Sequence, residues 1–501
     1  MGWGLSLALI VCFLPSPKTG FPLHLNGGFV YSPVTADLDG DGKCEIIVAA
    51  GGLWAIDGSG VMMDGWPSMQ GAIFNSRAAV GNARPGKFLE IAVGRAYWLD
   101  DSIRTYLFDT RGDLLSGWPV TIGWVTLRTR LGVPSLIDVD GDGLDELIAP
   151  SSFGPHVIEG NGEIMLPHNG NPGLLSGDIL TADILGDPAL ELIILTDPIR
   201  IVDLNGNTLR EFSPELDTIF KGILVDLNGD LKSEILLLGE SEGQLTLEAL
   251  DREGTQIPGW PLRTGISSLF FVPCGLSAGD LDGDGEPEVI MTATDIMNGI
   301  VYAARADGTP LNSGDPIFGS TGFPGEALIA KLLRDGKSSI IVQFCGSDSK
   351  VRVYAFDMNG KIERGWPLVL TQCPCNNRSL TPAIADIDGD KRADIVALSP
   401  NGILFAYGIS ELPPRGDWLQ EDHDERNSFT LPPRLEDERL SASRIEPRAH
   451  VASGNILPIK EGARLFDAAG RRMGAPYDAL PPGLYFAVKG NRAAARLLKV
   501  R

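Results

Sequence analysis

One nine-residue acidic element recurs in register along this chain, and no other feature narrows the fold as far. It stands in full at Asp37 (DLDGDGKCE), Asp138 (DVDGDGLDE), Asp226 (DLNGDLKSE), Asp280 (DLDGDGEPE) and Asp386 (DIDGDKRAD). A partial copy begins at Asp183 (DILGDPALE), and two eroded copies hold the same slot at Asn82 (NARPGKFLE) and Lys331 (KLLRDGKSS). The starting positions are 45, 56, 45, 43, 54, 51 and 55 residues apart, and a short apolar run such as IIVAA, LIAP or VIMTA follows each copy. Next comes an alternating strand that ends near a D-x-x-G turn, as at Asp57, Asp109, Asp203 and Asp357. Gly-Trp-Pro then opens another strand at residues 65–67, 117–119, 259–261 and 365–367. Each unit therefore reads strand, acidic loop, strand, strand, turn, strand. Four short strands per 43–56 residues is the size of a β-propeller blade.

The two ends complete the count. Gly20 to Leu23 reads as a Gly-Trp-Pro strand that lacks the rest of its blade, while the eighth unit, from Asp386 to about Gly408, has no such strand after Tyr407. Joining both ends in one blade closes the ring and removes two open sheet edges. The expected fold is all-β: an eight-bladed propeller over residues 21–410, or a seven-bladed one if an eroded copy is an insertion. A stack of independent small domains would leave each four-stranded sheet without a partner for its second face. Composition agrees, because 61 Gly and 35 Pro in 501 residues demand many turns and argue against long helical bundles.

The acidic loops carry the chemistry. Oxygens at positions 1, 3 and 5 with a carboxylate at position 9 suit a hard cation. A backbone carbonyl near position 7 and water would complete the roughly six to eight oxygens that Ca²⁺ takes. Position 4 is Gly in all five full copies, as suits a loop folding tightly around an ion. An EF-hand is excluded, since it needs Glu at position 12 and flanking helices. Position 12 here is Val48, Ala149, Leu237, Met291 or Ala397, each inside a strand run.

Such D-x-D-G-D-G-x-x-E loops between strands resemble FG-GAP/VCBS repeats, the calcium-bearing repeats of integrin-α-type propellers, over about residues 21–410. The resemblance implies Ca²⁺ at about five sites. The implied ligands are Asp37, Asp39, Asp41 and Glu45; Asp138, Asp140, Asp142 and Glu146; and Asp226, Asn228, Asp230 and Glu234. Two further sets are Asp280, Asp282, Asp284 and Glu288, and Asp386, Asp388, Asp390 and Asp394. It leaves the copies at Asn82 and Lys331 without ligands, and Leu185 replaces the second acid after Asp183.

With 42 basic and 65 acidic residues the net charge is −23, which disfavours nucleic acid or an anionic membrane as partner. Nineteen of those acids sit at ligand positions of the five full loops, so much of the excess is placed rather than scattered. Leu5 to Leu14 is an apolar run closed by Pro15 and Pro17, and residues 1–20 read as a secretory signal peptide, although no Lys or Arg precedes the run. The run is too short to cross a bilayer, no other approaches that length, and no transmembrane segment is expected. Cys44, Cys274, Cys345, Cys373 and Cys375 remain, too few and too spread for a disulfide framework.

Residues 411–452, with Pro pairs and charge runs, read as a linker or extension from which Trp418 and Phe429 are available to dock on the last blade. Residues 453–501 return to β character, with nine basic against three acidic residues, and suggest a small β-sandwich. RLFDAAGRR from Arg464, LPPGLYF from Leu480 and the closing KVR resemble the C-terminal type-A sorting domain of the bacterial type IX secretion system. That resemblance implies export across an outer membrane, with the tail recognised by the secretion machinery.

No catalytic constellation stands out. His24, His156, His168, His423 and His450 have no metal-ligand spacing. Gly275 to Gly279 matches G-x-S-x-G, yet falls on the first strand of a blade and not at the strand-to-helix elbow the motif needs. Arg-Gly-Asp at 111–113 and 415–417 is a chance tripeptide in so Gly- and Asp-rich a chain. Trp66, Trp118, Trp260 and Trp366 recur at one blade position, which points to packing between blades. The blade-to-blade connections carry Arg77, Trp124, Arg128, Arg130, Arg263, Asn376, Asn377 and Arg378, groups suited to a glycan or a peptide. The expectation is a secreted or cell-surface calcium-stabilised propeller that binds glycan or extracellular protein in adhesion, without catalysis. The alternative is a propeller-type polysaccharide lyase or hydrolase.

Overall fold

The computed structural model describes residues 14–25, 29–97, 102–124, 132–151, 154–166, 179–186, 189–295, 297–346, 348–372 and 380–430, and the backbone of four strands between 464 and 499. The first of these ranges form an all-β propeller of eight blades in a ring. The apolar run after each acidic loop becomes the second strand of its blade. Glu45–Ala49, Glu146–Ser151, Glu288–Thr294 and Asp394–Leu398 are buried at every position, because blades cover them on both faces. Burial on both sides is why these runs are nearly continuous in apolar residues and do not alternate.

Blade 2 shows the plan: Ala79–Gly81, Glu90–Tyr97, Ser102–Phe108 and Val120–Trp124 pair antiparallel in that order. Blades 3 to 6 repeat it. In blade 1 a single bridge, Leu53 to Ser68, stands where the fourth strand would be. Blade 8 is built from both ends of the propeller. Ala383–Ala385, Asp394–Leu398 and Ile403–Gly408 supply three strands, and Leu23–His24 and Ser16–Pro17 both pair with the last of them. Ser16 to Lys18 thus lie in the blade, although they fall within the stretch that reads as a leader.

The acidic loops, between first and second strands, share one end of the ring with the D-x-x-G turns. A Cβ on Gly58 would strike the carbonyl of Ile387 in the loop of blade 8, and one on Gly160 the carbonyl of Ala83 in the loop of blade 2. Connections between blades lie at the opposite end. The Gly-Trp-Pro tryptophans hold neighbours together: indole N–H groups of Trp66, Trp118 and Trp260 donate to Thr110 O (2.8 Å), Gly160 O (2.9 Å) and Ala306 O (3.0 Å) in the next blade.

The channel holds what composition did not reveal. The stretch that reads as a linker enters it at the acidic-loop end, where Ala393 N donates to Leu412 O (2.7 Å) and Lys331 N to Arg415 O (2.8 Å). Gly416–Trp418 then pairs with Leu328–Ala330, the inner strand of blade 7. Beyond it, Ile384 N of blade 8 donates to Leu419 O, Val80 N of blade 2 to Glu425 O, Leu136 N of blade 3 to Arg426 O and Leu224 N of blade 5 to Phe429 O. Thr35 N of blade 1 donates to Gln420 Oε1, and Asp280 N of blade 6 to Asp417 Oδ2. Phe429 joins the core of blades 4 and 5 with Leu180. One segment therefore supplies acceptors to the inner strand edges around the ring, groups that buried backbone cannot leave unpaired. Trp418 and Phe429 are fully buried inside this channel, not on the flank of the last blade.

In the C-terminal stretch, Arg472–Met473, Arg464–Asp467, Gly483–Lys489 and Arg492–Lys499 form one four-stranded antiparallel sheet in that order.

Candidate functional site

Each full acidic loop folds by the same hydrogen bonds. The position-1 carboxylate accepts from the Gly N–H at position 4: Asp37 from Gly40 (2.8 Å), Asp138 from Gly141 (2.7 Å), Asp226 from Gly229 (2.8 Å), Asp280 from Gly283 (2.6 Å) and Asp386 from Gly389 (2.8 Å). Oδ1 at position 3 accepts from the N–H at position 5, and Oδ1 at position 5 from the N–H at position 7. At position 9, Glu45, Glu146, Glu234 and Glu288 each give Oε2 to the N–H at position 2, at 2.7–2.9 Å. Backbone thus takes one oxygen of each of the acids at positions 3, 5 and 9, and the second oxygen of each is left for something else.

Carboxylate oxygens of each loop also converge. Ligand atoms of Asp37, Asp39 and Asp41 lie within 4.8 Å of one another, as do those of Asp138, Asp140 and Glu146, of Asp280, Asp282 and Glu288, and of Asp386, Asp388 and Asp394. In the fifth-blade loop Asn228 stands at position 3, with Nδ2 2.8 Å from Glu234 Oε1. The donors are all oxygen, on short loops with positive-φ glycines at position 4, and that set fits Ca²⁺. The ion would be held by the residues named and would supply charge neutralisation; no reaction need pass through it. In the partial copy Asp183 accepts from Gly186 N (2.7 Å) and Glu191 from Ile184 N (3.1 Å), while Asp187, at position 5, lies outside the described residues.

Electrostatics say the same. Burial, with the neighbouring loop acids adding to it, pushes the carboxyl of Glu45 up to about 7, that of Glu146 to about 8 and that of Glu288 to about 7. A buried carboxylate among carboxylates awaits a cation. The sign of the pH effect follows. A raised pKa means the folded state holds its proton more tightly than the unfolded chain, so this stability is present at low pH and is lost as pH climbs through the raised values. In excess chelator the melting temperature is expected to fall from roughly pH 5 to 8, and saturating Ca²⁺ to flatten most of that slope. A chelated protein with no such fall would refute the assignment.

A second constellation fills the mouth of the channel. Arg77, from a blade connection, is buried and donates to Asp422 Oδ2 (2.8 Å), to Glu421 O and to Asn427 Oδ1. Lys221 pairs with Glu326 and with Asp422 Oδ1 (2.6 Å), and Glu326 Oε1 also accepts from Trp418 Nε1 (2.7 Å) and Asp422 N (2.9 Å). Burial works to lower the Lys221 pKa, yet its two carboxylate partners more than offset it and leave it raised, so this amine is no base. The network is a clamp on the channel segment. Sequence reasoning placed Arg77 among ligand-binding candidates and missed Lys221, Glu326 and Asp422, which lie 96 to 201 residues apart in pairs.

Other motifs resolve structurally. Ser277 of the G-x-S-x-G match is fully buried in the strand Val272–Gly279. Arg111 to Asp113 form a D-x-x-G turn in which Arg111 N and Asp113 N donate to Asp109 Oδ1, while Arg415 to Asp417 run inside the channel. Cys44 and Cys274 are free, and burial pushes both thiols up to about 12; Cys345 is disulfide-bonded. Trp124 is exposed at the connection end, and Arg263 approaches Glu242 at 3.7 Å. Arg128, Arg130, Asn376, Asn377 and Arg378 lie outside the described residues.

Comparison with known proteins gives the same picture of the fold. A family model described as FG-GAP-like repeat matches residues 332–397, from the eroded loop of blade 7 into the second strand of blade 8. No curated protein sequence matches the chain. Among solved structures, the V. cholerae biofilm matrix protein Bap1 is similar at TM-score 0.56 and 13% identity, covering 84% of this chain and 96% of that one. BBS1N, solved in complex with ARL6DN, follows at TM-score 0.41 and 13% identity, over 80% of this chain and 96% of that one. A rhamnogalacturonan lyase of Bacillus licheniformis gives TM-score 0.32 and 12% identity, over 83% and 99%. What the chain shares with Bap1 is the propeller fold.

Proposed function

We propose that this protein is an extracellular, calcium-stabilised β-propeller that binds a glycan or protein ligand on its connection face, in adhesion and without catalysis. One observation carries the proposal. Among the described residues, the five most exposed large apolar side chains are Leu269 (83%), Phe270 (71%), Trp124 (64%), Val272 (63%) and Met297 (62%), and all five belong to the connection end of the ring. Four of them come from blades 5 and 6 and the link between them. Apolar side chains gathered on one end mark an interaction surface more than scattered ones do. The acidic loops, at the other end, are free to act as staples.

The filled channel favours binding over cleavage. A lyase would need a base beside a cation where a sugar chain can reach it, whereas here the channel segment and its ion pairs take that space. Glycan-array binding followed by product analysis is the test. Binding without cleavage is expected, abolished by Phe270→Ala with Trp124→Ala; unsaturated sugar products would overturn the proposal.

For delivery, we read residues 453–501 as a type IX sorting domain after a cleaved leader, a reading that the four-stranded sheet of that stretch supports. Deleting residues 453–501 is expected to hold the propeller in the periplasm, scored by cell fractionation. Unchanged surface delivery would sink this part alone.

A further inference from the structure

The position-9 carboxylate of an acidic loop is buried in every blade where it survives, and one of its oxygens is always spent on backbone. Its other oxygen needs a cation or a hydrogen-bond donor, as Asn228 Nδ2 is for Glu234 Oε1, because a buried charge without a partner is costly. In blade 2 the chain supplies one itself. Arg84 replaces the acid at position 3, and its guanidinium lies 3.2 Å from Glu90 Oε1. The protein therefore already contains one loop in which a side-chain cation stands where the others present oxygens to an ion.

Blade 8 has kept its acids, yet a cation is seated there too. Lys18 Nζ lies 2.6 Å from Asp388 Oδ2, 2.7 Å from Asp394 Oδ1 and 3.9 Å from Asp390 Oδ2. These are the oxygens that backbone leaves over at positions 3, 9 and 5, since Asp388 Oδ1 accepts from Asp390 N, Asp394 Oδ2 from Ile387 N and Asp390 Oδ1 from Arg392 N. The Lys18 side chain is 14% exposed and Asp394 is fully buried. Its approach is held by the N-terminal strand: Ser16–Pro17 pairs with Tyr407 and Gly408, and Lys18 N donates to Ala406 O at 2.9 Å. Lysines near the other loops behave differently. Lys43 meets Asp41 from the solvent side, half exposed, and Lys232 stays 3.8 Å from Asp230.

We propose that Lys18 is the resident cation of the eighth-blade loop, so that docking of the N-terminal strand and binding of a divalent ion at Asp386, Asp388, Asp390 and Asp394 exclude one another. The inference rests on the reading that the intact loops bind Ca²⁺. It carries a consequence for processing. Cleavage before Phe21 removes Ser16, Pro17 and Lys18 together and opens the loop to metal, while cleavage upstream of Ser16 keeps the loop closed by its own ammonium.

Calcium stoichiometry of the full chain, by equilibrium dialysis at millimolar Ca²⁺, tests this. Lys18→Gln and Lys18→Met are each expected to bind one equivalent more than the wild type. In the wild type, Asp388→Asn is expected to cost no equivalent, while in the Lys18→Gln background it removes the one gained. Asp39→Asn, in the first-blade loop, serves as the control and is expected to cost one equivalent in both backgrounds. If Asp39→Asn costs one but the Lys18 variants gain none, or if Asp388→Asn costs one in the wild type, the Lys18 assignment is overturned alone. If no variant changes an uptake that is nil throughout, the calcium reading falls and takes the assignment with it. Should Lys18→Gln fold poorly, the Asp388→Asn comparison in the wild type still decides.

Discussion

Trp418→Ala is expected to lower the unfolding free energy by about 3–5 kcal/mol in urea titrations at saturating Ca²⁺, the range for truncating a fully buried large aromatic. The indole is completely buried, so its removal leaves a cavity in the channel that a ring of rigid sheets cannot close. It also removes the donor at 2.7 Å from Glu326 Oε1, a buried carboxylate whose remaining partners are Asp422 N and Lys221. Asp422→Ala attacks the same clamp from its charge, leaving Arg77 buried and Lys221 with one carboxylate. Breaking a buried pair in this way costs about 3–5 kcal/mol as well. Trp124→Ala is the control; at 64% exposure it should change stability by less than about 0.5 kcal/mol. A Trp418 variant as mild as the Trp124 one would mean that residues 412–430 do not occupy the channel.

Chelation should produce an effect of similar size by a different route. If free Ca²⁺ is ~1 mM and a loop binds at ~0.1 mM, each loop contributes ~1.4 kcal/mol. With Lys18 in the eighth, the loops of blades 1, 3, 5 and 6 together give roughly 5–6 kcal/mol. Spread over the unfolding entropy of a propeller of this length, that corresponds to a fall in melting temperature of about 5–10 °C on adding EDTA. Asp138→Asn should remove about one share of it, and Asn82→Ala, in the loop that Arg84 already neutralises, almost none. A melting temperature indifferent to chelator would discard the staple role for all of the loops at once.

The parts of this molecule that were legible in sequence are those that repeat. Five loops with oxygen-bearing side chains at the same offsets reveal themselves by register, and the D-x-x-G turns and Gly-Trp-Pro strands fix the blade around them. Even the closure of blade 8 was readable, because Phe21 and Pro22 keep the last trace of a motif seen four times elsewhere. What stayed hidden occurs once. Residues 412–430 hold few apolar side chains and five acids, so they look solvated. Their work is done by carbonyls and single polar groups that meet each blade at one point, with partners up to 385 residues away, and no spacing rule registers that. Lys18 was hidden for a related reason: beside an apolar run it reads as the flank of a leader, and only the pairing of Ser16–Pro17 carries it to Asp394.

The route of the chain through its own centre sets an order of events during synthesis. Blades 1 to 7 can pair internally as they emerge, since their strands are consecutive. The inner edges that face the channel find their acceptors only when residues 412–430 arrive, and blade 8 must join strands some 380 residues apart. Contacts so distant in sequence are slow to form, and strand edges left waiting invite pairing with other chains. The nascent protein is thus an open arc until its last fifth is made, and the span before closure is when a chaperone, or a secretion channel that accepts unfolded chain, has its substrate.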